Sequence, residues 1–170
     1  MSYYEELVAV SRAWVNRQER LKADLESVIR RFVKHCGIPE DKVRYLRWDN
    51  DLQIYIARAD EVFSFYQACH HYRDTGEWGV GVSISLGHSA MGSYAKVAFT
   101  VRLKAINEAS SKLTFGELKP QTVKLHSNGW GDTLIPEAME SLKSGFENAT
   151  NERPPIGFSL STSLDPETSA

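Results

Sequence analysis

The chain is poor in the residues that hold small folds together covalently or through metals. It has only two cysteines, Cys36 and Cys69. Two thiols make no disulfide framework, and free thiols suit a reducing compartment. Neither a C-x-x-C nor an H-x-x-x-H spacing occurs. The clusters His35-Cys36 and Cys69-His70-His71 are adjacent in sequence, and neighbours on a helix or strand point apart. No metal and no other cofactor is expected. No stretch approaches the roughly 20 apolar residues a membrane helix needs, so no membrane span is expected either. The first residues, Met-Ser-Tyr-Tyr-Glu-Glu, lack the basic start and apolar run of a secretory signal. The expected location is the cytoplasm. There is no Gly-Lys-Ser/Thr phosphate loop, and Gly79 and Gly81 fall inside a strand pattern.

What the chain does have is an ordinary globular content, 42% hydrophobic and 25% charged residues, which excludes general disorder. The formal charge of −2 is unevenly spread. Residues 1–35 hold seven bases and five acids, while the rest is net acidic. A basic helix face of this kind is normally solvated. Contact with RNA or DNA through it is the weaker alternative, because nucleic-acid footprints are usually much more basic.

Residues 3–35 read as one long helix. Leu7, Trp14, Leu21, Leu25, Val28 and Phe32 recur at spacings of seven, four and three, and no Gly or Pro intervenes before Gly37 and Pro39. At 1.5 Å per residue this helix is about 50 Å long, against a diameter of about 40 Å for a compact globule of this size. It must bend, protrude or pack on a second subunit. The apolar seam favours a homodimer through this helix.

Segments 43–48 and 52–57, parted by Asp49-Asn50-Asp51, predict a β-hairpin. Residues 60–73 predict a short helix, with Asp60 as its cap and Gly76 as its stop. Trp78, Val80, Val82, Ile84 and Leu86 alternate with glycine and serine, which predicts a strand with one apolar face and one nearly bare face. A bare face invites close approach by something else. Further strands are predicted around 96–104, 113–118 and 122–126, then a closing helix through Leu134, Ala138, Met139, Leu142 and Phe146. Residues 150–170 are expected to form a loose polar tail, although 156–160 have the makings of an edge strand.

Two segments tempt a functional reading. Gly87-His88-Ser89-Ala90-Met91-Gly92 resembles the nucleophile elbow of α/β-hydrolases, and a triad Ser89, Glu117, His126 can be written. But Met91 replaces the second glycine, and the residues that follow alternate as a strand where the elbow needs a helix. No catalytic residues are expected. In Ser127-Asn128-Gly129-Trp130-Gly131-Asp132, a tryptophan sits between glycines on a loop. It either plugs the edge of the core or anchors a partner.

The expected fold is α+β. A long N-terminal helix, a β-hairpin, a short helix, an antiparallel meander and a C-terminal helix place the helices on one face of a curved antiparallel sheet. Residues 1–149 form its single domain. The order is similar to cone-shaped small α+β folds and to helix-flanked chaperone-type dimers, without a motif to decide between them. The expected function is non-enzymatic binding of another protein; the candidate binding residues are Trp130 for that partner and His126, His88 and Tyr94 for a pocket. The alternative is a small-molecule pocket or small enzyme beneath the sheet.

Overall fold

The computed structural model describes residues 2–57, 61–88, 93–116, 118–127, 129–148 and 159–164. Helix α1 (Tyr3–His35) opens with a capping box. The Glu5 amide donates to Ser2 Oγ, and the Ser2 amide donates to the Glu5 carboxylate. It closes at Gly37, whose φ of +63° lets the Ile38 amide reach the Val33 carbonyl and the Gly37 amide reach that of Lys34. That pair of bonds is a Schellman cap.

The hairpin follows as β1 (Val43–Asp49) and β2 (Ile54–Ile56). The Asp49 carboxylate accepts from the amides of Asp51 and Leu52 and holds the turn. The helix expected over 60–73 is shorter than its pattern suggests. Only α2 (Phe65–Ala68) is helical, capped by Ser64 and Gln67, and His70–Tyr72 forms strand β3 instead. Asp60 lies outside the described residues. The cause is tertiary. Gly76, at a φ of +71°, turns the chain so that Tyr72 pairs with Glu77 and His70 with Gly79. Ladder bonds to a central strand outweigh the local helical preference.

The core of the sheet is one long hairpin, β4 (Glu77–His88) with β5 (Ser93–Ala105). A strand therefore follows the His-Ser segment among the described residues. Ser89 and Glu117, from the triad considered above, lie outside them. β6 (Ser111–Phe115) and β7 (Gln121–Val123) continue the meander, and α3 (Leu134–Asn148) closes it. Within residues 150–170, β8 (Ser159–Leu164) runs antiparallel to β5.

Among the described residues, these eight strands make one antiparallel sheet ordered β2-β1-β4-β5-β6-β7. β3 and β1 lie end to end along the outer edge of β4. β6 and β8 do the same along β5.

The helices α1, α2 and α3 contribute to one buried cluster on a single face of the sheet. Leu21, Leu25, Val28, Ile29 and Phe32 of α1 meet Val80, Val82, Phe99, Val101 and Leu103 there. The Phe32 ring lies edge-on to Phe99 at 5.6 Å and tilted against Phe115 at 5.3 Å. Leu134, Ile135, Ala138 and Leu142 of α3 join the same cluster.

The opposite face of β4 is the glycine face. It is covered by the hairpin and β3. A Cβ on Gly81 would lie 2.8 Å from Leu46 Cβ and 2.8 Å from Tyr55 Cγ, and one on Gly79 would lie 2.7 Å from Tyr72 Cε2. Tyr72 donates its hydroxyl to that of Tyr55 at 2.9 Å. Trp48 stacks on His70 at 4.7 Å and meets Tyr55 edge-on at 5.0 Å. The bare stripe in the sequence is thus the floor of an aromatic cluster made by the chain itself. Gly81→Ala should cost about 2 kcal/mol, within the usual overpacking range, read as a lower midpoint in urea. An unchanged midpoint would show that Tyr55 moves aside freely.

Candidate functional site

The most unusual feature is how α1 meets the sheet. Its apolar stripe runs through Tyr3, Leu7, Val10 and Trp14, is interrupted by Arg17 and Gln18, and resumes on the same helical face in Leu21, Leu25, Val28 and Phe32. The last four are buried and the first four are not. Every residue from Ser2 to Arg17 is exposed, including Tyr3 at 92%, Leu7 at 68% and Trp14 at 57%. Gln18 is the first α1 residue with substantial cover. Its side-chain oxygen accepts from Trp78 Nε1 at 2.6 Å, and Lys22 Nζ sits 4.5 Å from the centre of the same indole. Trp78 is near the beginning of β4, so the sheet ends where the free part of the helix begins. The free part is about 24 Å long at 1.5 Å per residue.

An open groove of about 640 Å³ lies at the junction, lined by Arg17, Arg20, Leu21, Asp24, Ile106 and Glu108 among others. A second, about 660 Å³ and mostly apolar, lies near the far end of α1 against β1, lined by Ile29, Val33, Ile38, Val43 and Tyr45 with Arg30, Lys34 and Glu40. Both are grooves open to solvent.

The four residues singled out from the sequence fall into two pairs. Trp130 and His126 lie in the loop before α3 and face α1. The Arg31 guanidinium lies over the Trp130 ring at 5.0 Å, and the indole packs against the core cluster. His126 Nε2 is 3.5 Å from the Asp24 carboxylate, with its side chain mostly exposed. The flanking glycines have local causes. Gly129 has a φ of +82°, and a Cβ on Gly131 would lie 2.7 Å from Ile135 Cδ1. His88 and Tyr94 are register partners at the other end of the β4–β5 hairpin. The structure does not gather the four residues into one site.

Sequence reasoning missed the aromatic cluster over Gly79 and Gly81. The available signal was the coincidence of a glycine-striped strand with aromatics in both arms of the hairpin.

Neither cysteine is an activated nucleophile. Cys36 and Cys69 are both free thiols. Burial pushes Cys36 up to about 11 and Cys69 up to about 12, so both stay protonated at neutral pH. Among the described residues, no three His, Cys, Asp or Glu side chains come together to hold a metal ion. No described helix is long and apolar enough to cross a membrane. Comparison with protein families, with curated proteins and with solved structures returns no match for this chain.

Two outcomes follow from this geometry. Trp130→Ala should lower stability by about 2 kcal/mol, since a half-buried indole contributes part of the usual aromatic truncation cost. Unchanged stability in a denaturant titration would favour a partner anchor instead. His70 and His71 are both held below the ordinary value of 6.5, first by burial. As pH falls through 6.5, the unfolded chain takes up these protons before the folded one, so stability is lost on acidification. The urea midpoint should drop between pH 7.5 and 5.5, and drop less in a His70→Phe/His71→Phe variant. An equal drop in both would assign the effect to other groups.

Proposed function

We propose that this protein is a non-enzymatic binding protein of the cytoplasm, which engages another protein through the free N-terminal half of α1. One observation carries this reading. The stripe that α1 buries against its own sheet continues, uncovered, for four more turns. A helix of this length without tertiary contacts is marginal in water, because packing of an amphipathic face supplies most helical stability. A run of exposed Tyr, Leu, Val and Trp on one face is the kind of surface that marks a protein contact. Helices that dock in this way present anchors at helical spacings such as the i, i+3 and i+7 of Leu7, Val10 and Trp14.

The basic residues Arg12, Arg17 and Arg20 share this segment with Glu5, Glu6 and Glu19. That mixture supports a protein partner over a polyanion. The second reading is a small apolar ligand in the groove beside Ile29, Val33 and Ile38, supported by that groove's volume of about 660 Å³.

A Leu7→Asp/Trp14→Asp variant tests the first reading. Its melting temperature should match the parent, because neither side chain touches the core. Proteins captured by the immobilised full chain from nuclease-treated lysate should be lost. Equal capture by parent and variant would sink the proposal.

A further inference from the structure

We propose that a second copy of this chain covers the free stripe, with the two α1 helices antiparallel about a two-fold axis near position 12 and Glu6 of each copy beside Arg17 of the other. This rests on the reading of α1 as a docking element and names its partner. The argument is one of complementarity. Tyr3, Leu7, Val10 and Trp14 form the seam. At 100° per residue, Glu6 and Arg17 flank it on one side, and Tyr4 and Ser11 flank it on the other.

In an antiparallel pair, like flanks face each other. With the axis near position 12, Val10 comes level with Trp14 and Tyr3 with Leu21. Glu6 comes level with Arg17 within a residue. The charged flank contact then joins opposite charges. A parallel pair in register does the reverse. It turns the charged flank of each copy toward the uncharged flank of the other, so the Glu6–Arg17 contact is lost, and it brings the two acidic Glu5-Glu6 ends to the same level. It also aligns two helix dipoles head to head.

The antiparallel arrangement has a seat for the helix tip as well. The first turn of one copy, with Tyr3 and Tyr4, arrives at the level of Arg20 and Leu21 of the other. The junction groove lies there, lined by Arg17, Arg20, Leu21 and Ile106. Ile106 is 53% exposed in the single chain and lines that groove. The contact is isologous, so it closes at two copies.

Sedimentation equilibrium on the full chain tests this with two charge reversals, Glu6→Arg and Arg17→Glu. Both sites are exposed, and circular dichroism confirms that the variants fold. The parent should dimerise at micromolar concentrations. Each reversal alone creates two like-charge contacts per dimer and should weaken association roughly tenfold. An equimolar mixture of the two variants should recover it. One end of the heterodimer then sets the two reversed positions against each other with opposite charges, and the other end keeps the parent pair of Glu6 with Arg17. Trp14→Ala should weaken association without touching either charge. A parent that stays monomeric, or a mixture no stronger than its components, overturns the proposal. If the parent is monomeric while lysate capture still depends on Leu7 and Trp14, only the identity of the partner is wrong. If capture does not depend on them either, the docking reading falls too.

Discussion

The contact between α1 and the β4–β5 hairpin is the constraint to which the rest of the molecule answers. Phe32, set against Phe99 and Phe115, lies at its centre. Around it the helix stripe and the alternating faces of β4 and β5 exclude water from a continuous apolar cluster. The sheet is long enough to cover the helix only from Gln18 onward. The helix, once capped at Ser2, has no internal signal to stop earlier. A mismatch of length between two packed elements therefore produces the exposed stripe. It is a consequence of the core and continues the same face.

The two faces of β4 solve different problems. The Val80, Val82 and Ile84 face meets the helices. The Gly79 and Gly81 face is thin enough for Tyr55 and Tyr72 to approach the backbone more closely than a Cβ would allow, which lets the hairpin fold back over the sheet. The covering residues Tyr55, Tyr72, Trp48 and His70 lock one another by stacking and by one hydroxyl pair. Arg102 and Glu77, 3.5 Å apart at the margin of this cluster, pair across the sheet from neighbouring strands. Function on this face would require moving a well-packed set of aromatics. The free helix requires no such rearrangement, and for that reason it is the better candidate for contact with a partner.

Much of this was legible in the residues alone. The long helix, the hairpin, the two central strands and the closing helix follow from periodicities of 3.6 and 2, and from Gly37, Gly76 and Asp49 acting as stops and turns. The overlong helix was also legible, because its length exceeds the diameter of the globule. The segment 60–73 was not. His70, His71 and Tyr72 fit a helix or a strand equally well by pattern, and the free edge of β4 at Glu77–Gly79 decided between them. The candidate residues fared unevenly for a similar reason. Trp130 stood out as a loop tryptophan between glycines and His126 as a candidate binding residue, but only packing shows that Arg31 and Asp24 of α1 receive them.

Local chemistry, then, determined which segments are helical or extended and which face of each is apolar, because side-chain period and capping act within a few residues. Tertiary structure decided where the helix stops being covered, what fills the glycine face and which strand a short ambiguous segment joins. Those outcomes depend on the relative lengths and edges of elements distant in sequence, and no local pattern encodes a length that another element must match.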